Sequence, residues 1–442
     1  MKLRLRVWFA SRFTFALLAI AALTFCGAFF PALLWIAAGA AIALGAALVA
    51  DIAAGPALKE IDVERLESPP FAQQVPATLR YRVANRSAIT IRVGLFEEPV
   101  AELEYLDDVS VVAPAAGASV DAARALVPLE RGNVRLERLY GWYENAWGLL
   151  RRRFVLDRPL ALRVFPDLSQ VERFGKLHAR NRTIDAGLRR LRTRGIGAEF
   201  ESLRDWVPGD AFRSIDWKAT ARRGKLIVAD FEAERNQHVI LMLDCGRLMS
   251  AHAGQLRKLD YAVAAALSLT SIASLSDDKI GLLAFANSVI AAAPPRPARA
   301  AVAELAEMLY DVPARFEESD YERAFSWVRT RAQKRSLIVI FTDMFDPVAS
   351  GALLSALRTL TARHLVLCVF MNDAAVENAL ASASESAEHA YRAAVATGLA
   401  EERAQTSATL RGFGALVLDV PAERLVTSLV DRYLDIKRRG QL

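Results

Sequence analysis

Val239-Ile240-Leu241-Met242-Leu243-Asp244 sets five consecutive apolar residues ahead of one acid. A short apolar run of this kind reads as a strand buried on both faces, the pattern of a parallel sheet covered by helices. The sequence downstream repeats the theme. Leu256 to Leu275 has the spacing of an amphipathic helix, and Lys279 to Phe285 is a second strand. Ser336 to Asp343 is a third, ending in Thr342-Asp343, followed by strands at His364 to Met371 and Leu416 to Val420, with a long helical stretch from about 374 to 409. Buried strands alternating with helices predict a doubly wound α/β domain over residues 238–442. Ligands of such sheets sit beyond the carboxyl ends of the strands, which is where Asp244 and Asp343 fall.

Upstream lies the densest chemistry of the chain, from Gly197 to Gln237. Acids and bases alternate through it: Glu199, Arg204, Asp205, Asp210, Arg213, Asp216, Lys218, Arg222 and Lys225, with Trp206 and Trp217 between them and a turn at Pro208-Gly209-Asp210. A carboxylate site for metal or acid–base work needs acids left unpaired. Here nearly every acid has a base within a few residues, which points to an ion-pair network that fixes a surface or a joint. Arg173 to Arg194 is strongly basic, a solvated helix or linker in one reading and a contact for anionic lipid or nucleic acid in the other. Together, residues 168–237 form a basic linker and signature segment.

Residues 55–167 alternate polar and apolar positions between turn residues, as in Ala77 to Val83, Ile89 to Leu95, Val134 to Tyr140 and Phe154 to Phe165. Such spacing predicts a β-sandwich-like domain. Residues 1–54 carry two uncharged apolar runs, Phe13 to Phe30 and Ala32 to Ala50, separated by Pro31 and closed by Asp51. Each approaches the ~20 residues a membrane-crossing helix needs, so a two-helix transmembrane hairpin is expected. Lys2, Arg4, Arg6 and Arg12 precede the first run, which sets the N-terminus, and after two crossings everything beyond Asp51, on the cytoplasmic side.

Composition narrows the classes. The 442 residues are 53% hydrophobic and 24% charged, too apolar for a disordered chain and too charged for a multispan transporter. A formal charge of +6 is mild for a dedicated nucleic-acid binder, so no nucleic-acid partner is expected. Cys26, Cys245 and Cys368 are too few for a disulfide scaffold, and no Cys or His pairs stand at zinc spacing.

The signature segment resembles domain-of-unknown-function family 58, through Glu199-Phe200, Leu203-Arg204-Asp205-Trp206, Pro208-Gly209-Asp210, Arg213-Ser214-Ile215-Asp216-Trp217, Ala219-Thr220-Ala221-Arg222 and Lys225-Leu226. The resemblance extends to the paired apolar runs, Arg131-Gly132 and the ending Tyr433-Leu434-Asp435-Ile436-Lys437. It implies a bacterial protein with a von Willebrand factor A-like domain, and a MoxR-type AAA+ ATPase as partner. In such domains a metal-ion-dependent adhesion site follows the pattern Asp-x-Ser-x-Ser, a Thr on a later loop, then an Asp. Asp244 and Asp343 match the first and last positions and Ser319 takes that of the Thr, while Gly246 and Leu248 replace the two serines. A Mg²⁺ site weakened by two lost oxygens, and a metal-free remnant used for protein contact, are both open, with Arg247 a candidate to pair with Asp244 or Asp343. Cys245 reads as a small packing residue.

The function these features point to is a non-enzymatic, membrane-anchored cytoplasmic adaptor for complex assembly or envelope maintenance at the bacterial inner membrane. A metal-dependent hydrolase using Glu199, Asp205, Asp210 or Asp216, and a membrane-tethered nucleic-acid binder using Arg173 to Arg194, are the alternatives.

Overall fold

The structure, a computed structural model, describes residues 6–145, 147–167, 199–207, 210, 212, 215–232, 237–343, 354, 357–372 and 387–441. The chain forms two compact units, Met1–Phe165 and Pro166–Leu442, and is mixed α/β with several sheets.

In the first unit, β1 (Arg6–Phe9) leads into α1 (Ser11–Cys26) and α2 (Ala32–Ala54). The two helices lie against each other, and Gly27 at the turn sits close to Leu34. The helix of α1 stops at Cys26, four residues before the apolar run ends, because Gly27 to Phe30 form the turn ahead of Pro31. Its 16 residues span about 24 Å at 1.5 Å per residue, short of a ~30 Å hydrocarbon layer. Among the described residues α2, with 23 residues and a mean hydropathy of 2.3, is the one helix long and apolar enough to cross a membrane. Only Ala37 and Asp51 of α2 are buried.

The remaining strands of this unit are β2 (Ile61–Arg65), β3 (Phe71–Ala72), β4 (Ala77–Asn85), β5 (Ile91–Glu97), β6 (Leu103–Tyr105), β7 (Ser110–Val112), β8 (Ser119–Pro128), β9 (Gly132–Asn145) and β10 (Leu150–Phe165). One sheet runs β1-β10-β9-β5-β7, with β3 beside the end of β10; the other runs β2-β4-β8-β6. The two share one core, to which Val63, Leu79, Tyr81 and Val83 contribute from the second sheet and Val93, Leu95, Leu136 and Phe154 from the first. Alternation along β4 buries every second side chain, as a half-solvated strand requires. Sequence patterning misses β1, because four residues in a basic flank carry no period. Its ladder on β10 is nevertheless complete, from Arg6 opposite Arg153 to Phe9 opposite Leu150.

The second unit opens with a ribbon of β11 (Glu199–Asp205) and β12 (Ile227–Glu232), with α3 (Trp217–Arg223) between them in sequence. Then come β13 (His238–Asp244), a small hairpin of β14 (His252–Ala253) and β15 (Leu256–Arg257), α4 (Lys258–Ser274), β16 (Lys279–Phe285), β17 (Val289–Pro297), α5 (Ala298–Leu309), α6 (Tyr321–Arg331), β18 (Ser336–Phe341), β19 (Leu365–Asn372), α7 (Ala387–Gly412), β20 (Leu416–Pro421) and α8 (Leu425–Arg438). The expected helical residues 374–386 lie outside the described residues.

The main sheet runs β17-β16-β13-β18-β19-β20, parallel except at β17. Val239, Leu241 and Leu243 face one core with α4, α5 and α8, while Ile240 and Met242 face the other with α6. Helices cover both faces, so the strands are apolar on both sides. The expected amphipathic helix α4 is buried around most of its circumference, because α5 and α8 pack on it. The edge strand β17 escapes sequence reading because Pro294, Pro295 and Pro297 argue against a strand; prolines are tolerated only at a sheet edge, which is where β17 lies.

The C-terminal pattern Tyr433 to Lys437 has a physical role. The Tyr433 hydroxyl and the Lys437 ammonium both bind the buried Asp278 carboxylate, tying α8 to the turn before β16.

Candidate functional site

Strand order reverses at β13, which has β16 on one side and β18 on the other. Crevices at such points open beyond the carboxyl ends of the strands. Asp244 ends β13 there, and Thr342-Asp343 follow β18. All three are buried.

The Asp244 carboxylate is saturated by the protein itself. Its Oδ1 accepts from the Gly246 amide at 2.8 Å and from the Ser319 hydroxyl at 2.5 Å. Its Oδ2 accepts from the Tyr321 hydroxyl at 2.6 Å and from the Thr342 hydroxyl at 2.8 Å. A carboxylate offers about four acceptor positions, and four donors fill them. Burial and the neighbouring Asp244 charge push the Tyr321 phenol well above its ordinary value, so it stays a neutral donor.

Asp343 is held differently. Lys258, the first residue of α4, places its buried ammonium against the Asp343 carboxylate. Arg403 of α7 stands 3.7 Å from the other oxygen and forms a two-pronged pair with Asp419 at 2.6 and 2.7 Å. A cation at a helix N-terminus opposes the helix dipole; the facing Asp343 offsets that cost. Sequence reasoning misses Lys258, which lies 85 residues from Asp343 and reads as an ordinary helix charge. Arg247, the expected partner of the acids, instead pairs with exposed Glu318 at 3.0 Å.

These residues do not fit Mg²⁺. The ion needs near-octahedral oxygen ligands at about 2.0–2.1 Å. Every acceptor position of Asp244 already takes a protein donor, and an ammonium stands against Asp343. The two absent serines have a steric counterpart as well. A Cβ at Gly246 falls 2.2 Å from Ser319 Oγ and 2.9 Å from the Glu317 carbonyl, so a side chain there displaces the hydroxyl that binds Asp244. Gly246→Ala is expected to lower the thermal stability of the second unit by about 1–3 kcal/mol through overpacking; a change within a few tenths of a kcal/mol in calorimetry contradicts this.

The site has an outer rim. The Arg315 amide binds the Cys245 carbonyl, and the Arg247 amide binds the Glu317 carbonyl. This lacing holds residues 315–319 against the loop after β13, and on it Phe316 is 83% exposed. Cys245 is fully buried, consistent with a packing role, and burial pushes the Cys368 thiol up to about 12.

The signature residues form a separate cluster. Arg204 binds Asp210 with two hydrogen bonds of 2.6 and 2.8 Å, and Asp210 also accepts from the Val207 amide. Asp216 caps α3, accepting from the Lys218 and Ala219 amides at 3.0 and 2.9 Å. Gly224 ends that helix in the left-handed conformation, and the Thr220 hydroxyl accepts from the Ile227 amide. Asp205 pairs with Lys225 at the surface. Of the acids and bases read from sequence, the structure thus pairs Arg204 with Asp210 and Lys225 with Asp205, while Asp216 serves as a helix cap. The two tryptophans of the segment differ: Trp206 lies against Phe212, whereas Trp217 is 65% exposed, and Arg222 is also exposed. Glu199 opens β11 opposite Glu232. Pro208, Gly209, Arg213 and the basic stretch Arg173 to Arg194 lie outside the described residues.

Residues 202–400 match the model of the family described as protein of unknown function DUF58. The uncharacterized protein Rv1480 of Mycobacterium tuberculosis is 26% identical over 263 residues, covering 56% of this chain and 82% of its own. The uncharacterized protein Mb1516 of Mycobacterium bovis matches to the same extent. The uncharacterized protein YeaD of Bacillus subtilis is 42% identical over 43 residues, 10% of this chain and 11% of its own. Among solved structures, the ASH/PapD-like domain of human CEP192 covers 24% of this chain and 87% of its own at 7% identity, with a TM-score of 0.19, too low to carry an argument. What the matches do establish is that the chain carries, across residues 202–400, a domain of the DUF58 family.

Proposed function

We propose that the chain is a membrane-anchored cytoplasmic adaptor, without enzymatic activity of its own, whose von Willebrand factor A-like C-terminal unit binds a protein partner. The partner implied by the family resemblance is a MoxR-type AAA+ ATPase, and the output is complex assembly or envelope maintenance at the bacterial inner membrane. The observation that carries this reading is the self-satisfied acid pair at the sheet's C-terminal edge. Asp244 and Asp343 spend their charge on Ser319, Tyr321, Thr342, Lys258 and Arg403, which makes a rigid rim that requires no ion. Exposed Phe316 on that rim is the kind of aromatic anchor that dominates protein interfaces.

Anchoring is supported by the apolar, exposed α2. The two-crossing arrangement is supported by Leu149, whose carbonyl accepts from the Ala10 amide while its own amide donates to Asp51. Both ends of the apolar segment are tied to one residue, so an even number of crossings suits the geometry.

The test is gentle detergent co-purification from native membranes, read by mass spectrometry. An AAA+ ATPase is expected to co-purify with wild type, to survive an EDTA wash, and to fall about tenfold or more with Phe316→Ala, the scale of an aromatic hot spot. Release by EDTA overturns the ion-independent rim. Full retention by Phe316→Ala removes the rim from the interface, and absence of any ATPase overturns the partner.

A further inference from the structure

The foot of the apolar helices carries a second chemistry. Along β1 and the entry to α1, Trp8 is 51% exposed and Phe9 60%; on the loop before β10, Trp147 is 52% exposed. These side chains are set in place by the backbone. The β1–β10 ladder fixes residues 6–9 opposite 150–153, and Asn145 accepts from the amides of Trp147 and Gly148. Two exposed guanidinium groups are threaded among the rings: Arg153 lies over the Trp8 ring at 4.7 Å, and Arg12 donates to the Trp147 carbonyl at 3.3 Å.

The charge of this foot is one-sided. Residues 7–12 and 144–153 hold four arginines and one acid. That acid, Glu144, already bridges Arg92 at 2.8 Å and Arg151 at 3.4 Å. Arg152 is turned inward onto the carbonyls of Asp51 and Ile52. Half-exposed tryptophans beside arginines, continuous with an exposed apolar helix, have the composition that proteins place at the level of lipid headgroups, where rings sit in the interface and guanidinium groups reach phosphate.

We propose that Trp8, Phe9 and Trp147, with Arg12 and Arg153, form a collar that binds the headgroups of anionic phospholipids and seats the β-sandwich unit on the membrane surface. The collar rests on the anchoring reading and adds a lipid class to it. Its sequence signal is split between residues 8–12 and 147–153, which the β1–β10 pairing and the bonds of Ala10 and Arg12 to the Leu149 and Trp147 carbonyls join.

The experiment uses the full chain in nanodiscs of phosphatidylcholine, with or without increasing phosphatidylglycerol, read by amide hydrogen exchange. In wild type, peptides covering residues 6–12 and 147–153 are expected to exchange several-fold more slowly once phosphatidylglycerol is present. In Arg12→Glu/Arg153→Glu, the phosphatidylglycerol needed for half-protection is expected to rise by about fivefold per arginine, the equivalent of ~1 kcal/mol for each basic residue at a membrane surface. Arg12→Lys/Arg153→Lys is expected to keep most of the protection, which separates lost charge from lost folding. Equal exchange in both lipids for wild type overturns the collar while α2 remains protected. A chain that elutes apart from the nanodiscs, with α2 unprotected, overturns the anchoring itself.

Discussion

Lys258→Ala is expected to lower the thermal transition of the second unit by about 10 °C. The substitution leaves the Asp343 carboxylate, 1% exposed, facing the hole where an ammonium stood, with Arg403 at 3.7 Å from its other oxygen. Breaking a buried pair by removing one partner costs about 3–5 kcal/mol, because the surviving charge stays out of water. For a domain of this size, each kcal/mol moves the transition by about 2–4 °C. The double change Lys258→Met/Asp343→Leu is expected to recover most of the loss, since matched apolar replacement of a buried pair is often neutral. A further consequence separates this account from generic destabilisation. If Lys258 supplies the positive charge of the crevice, Mg²⁺ does not stabilise the wild type but raises the transition of Lys258→Ala, by ligand linkage to a cavity whose acid has lost its ammonium. Scanning calorimetry with and without Mg²⁺ reads both effects. Stabilisation of the wild type by Mg²⁺ would falsify the internal-ammonium account.

The physics of local pattern explains which parts were legible in sequence. β13, β16, β18 and β19 announce themselves because a strand buried on both faces has no polar period to confuse with a helix, while β20, half-buried at the sheet edge, shows only as a short apolar run. Asp244 and Ser319 could be associated through a known site pattern, and the structure joins them by a 2.5 Å hydrogen bond. The other half of that site was hidden. Tyr321 looks like a helix residue, Thr342 like the end of a strand, and Lys258 like a solvated charge; only the switch in strand order brings them to one point. The signature segment behaved in the opposite way. Arg204 and Asp210 are readable as a pair because they stand six residues apart, whereas Asp205 reaches Lys225 20 residues on and Asp216 binds the first amides of α3 rather than a base. Local pairing survives in sequence, whereas pairing across 85 residues does not.

The same logic applies to Asp51, which in sequence merely ends an apolar run. In the structure it is fully buried, and its Oδ2 accepts the amides of Leu149 and Leu150 at 3.0 and 2.9 Å. Its carbonyl takes Arg152 at 3.1 Å, and a few residues on the Tyr143 hydroxyl donates to the Pro56 carbonyl at 3.0 Å. Asp51→Ala strands one buried and one part-buried amide donor, each costing about 1–3 kcal/mol when left unpaired. The expected loss in the first unit is therefore about 2–6 kcal/mol, comparable to a large fraction of a domain's net stability. Asp51→Asn keeps an acceptor oxygen and is expected to lose less than half as much. The lesion is also local in kind, since it frees the segment between α2 and β2 from the loop before β10 while the sandwich core of Tyr81, Tyr143 and Phe154 is untouched. Limited proteolysis of the full chain in detergent micelles reads this directly: cleavage between residues 54 and 61 is expected to accelerate at least tenfold in Asp51→Ala, ahead of cleavage within the sheets. Simultaneous cutting throughout the unit would show that Asp51 serves the whole fold. Selective cutting would show that a single buried carboxylate clamps the apolar helices to the sandwich, the rigid joint that the collar of Trp8, Trp147 and Arg153 needs in order to sit at a fixed height on a membrane.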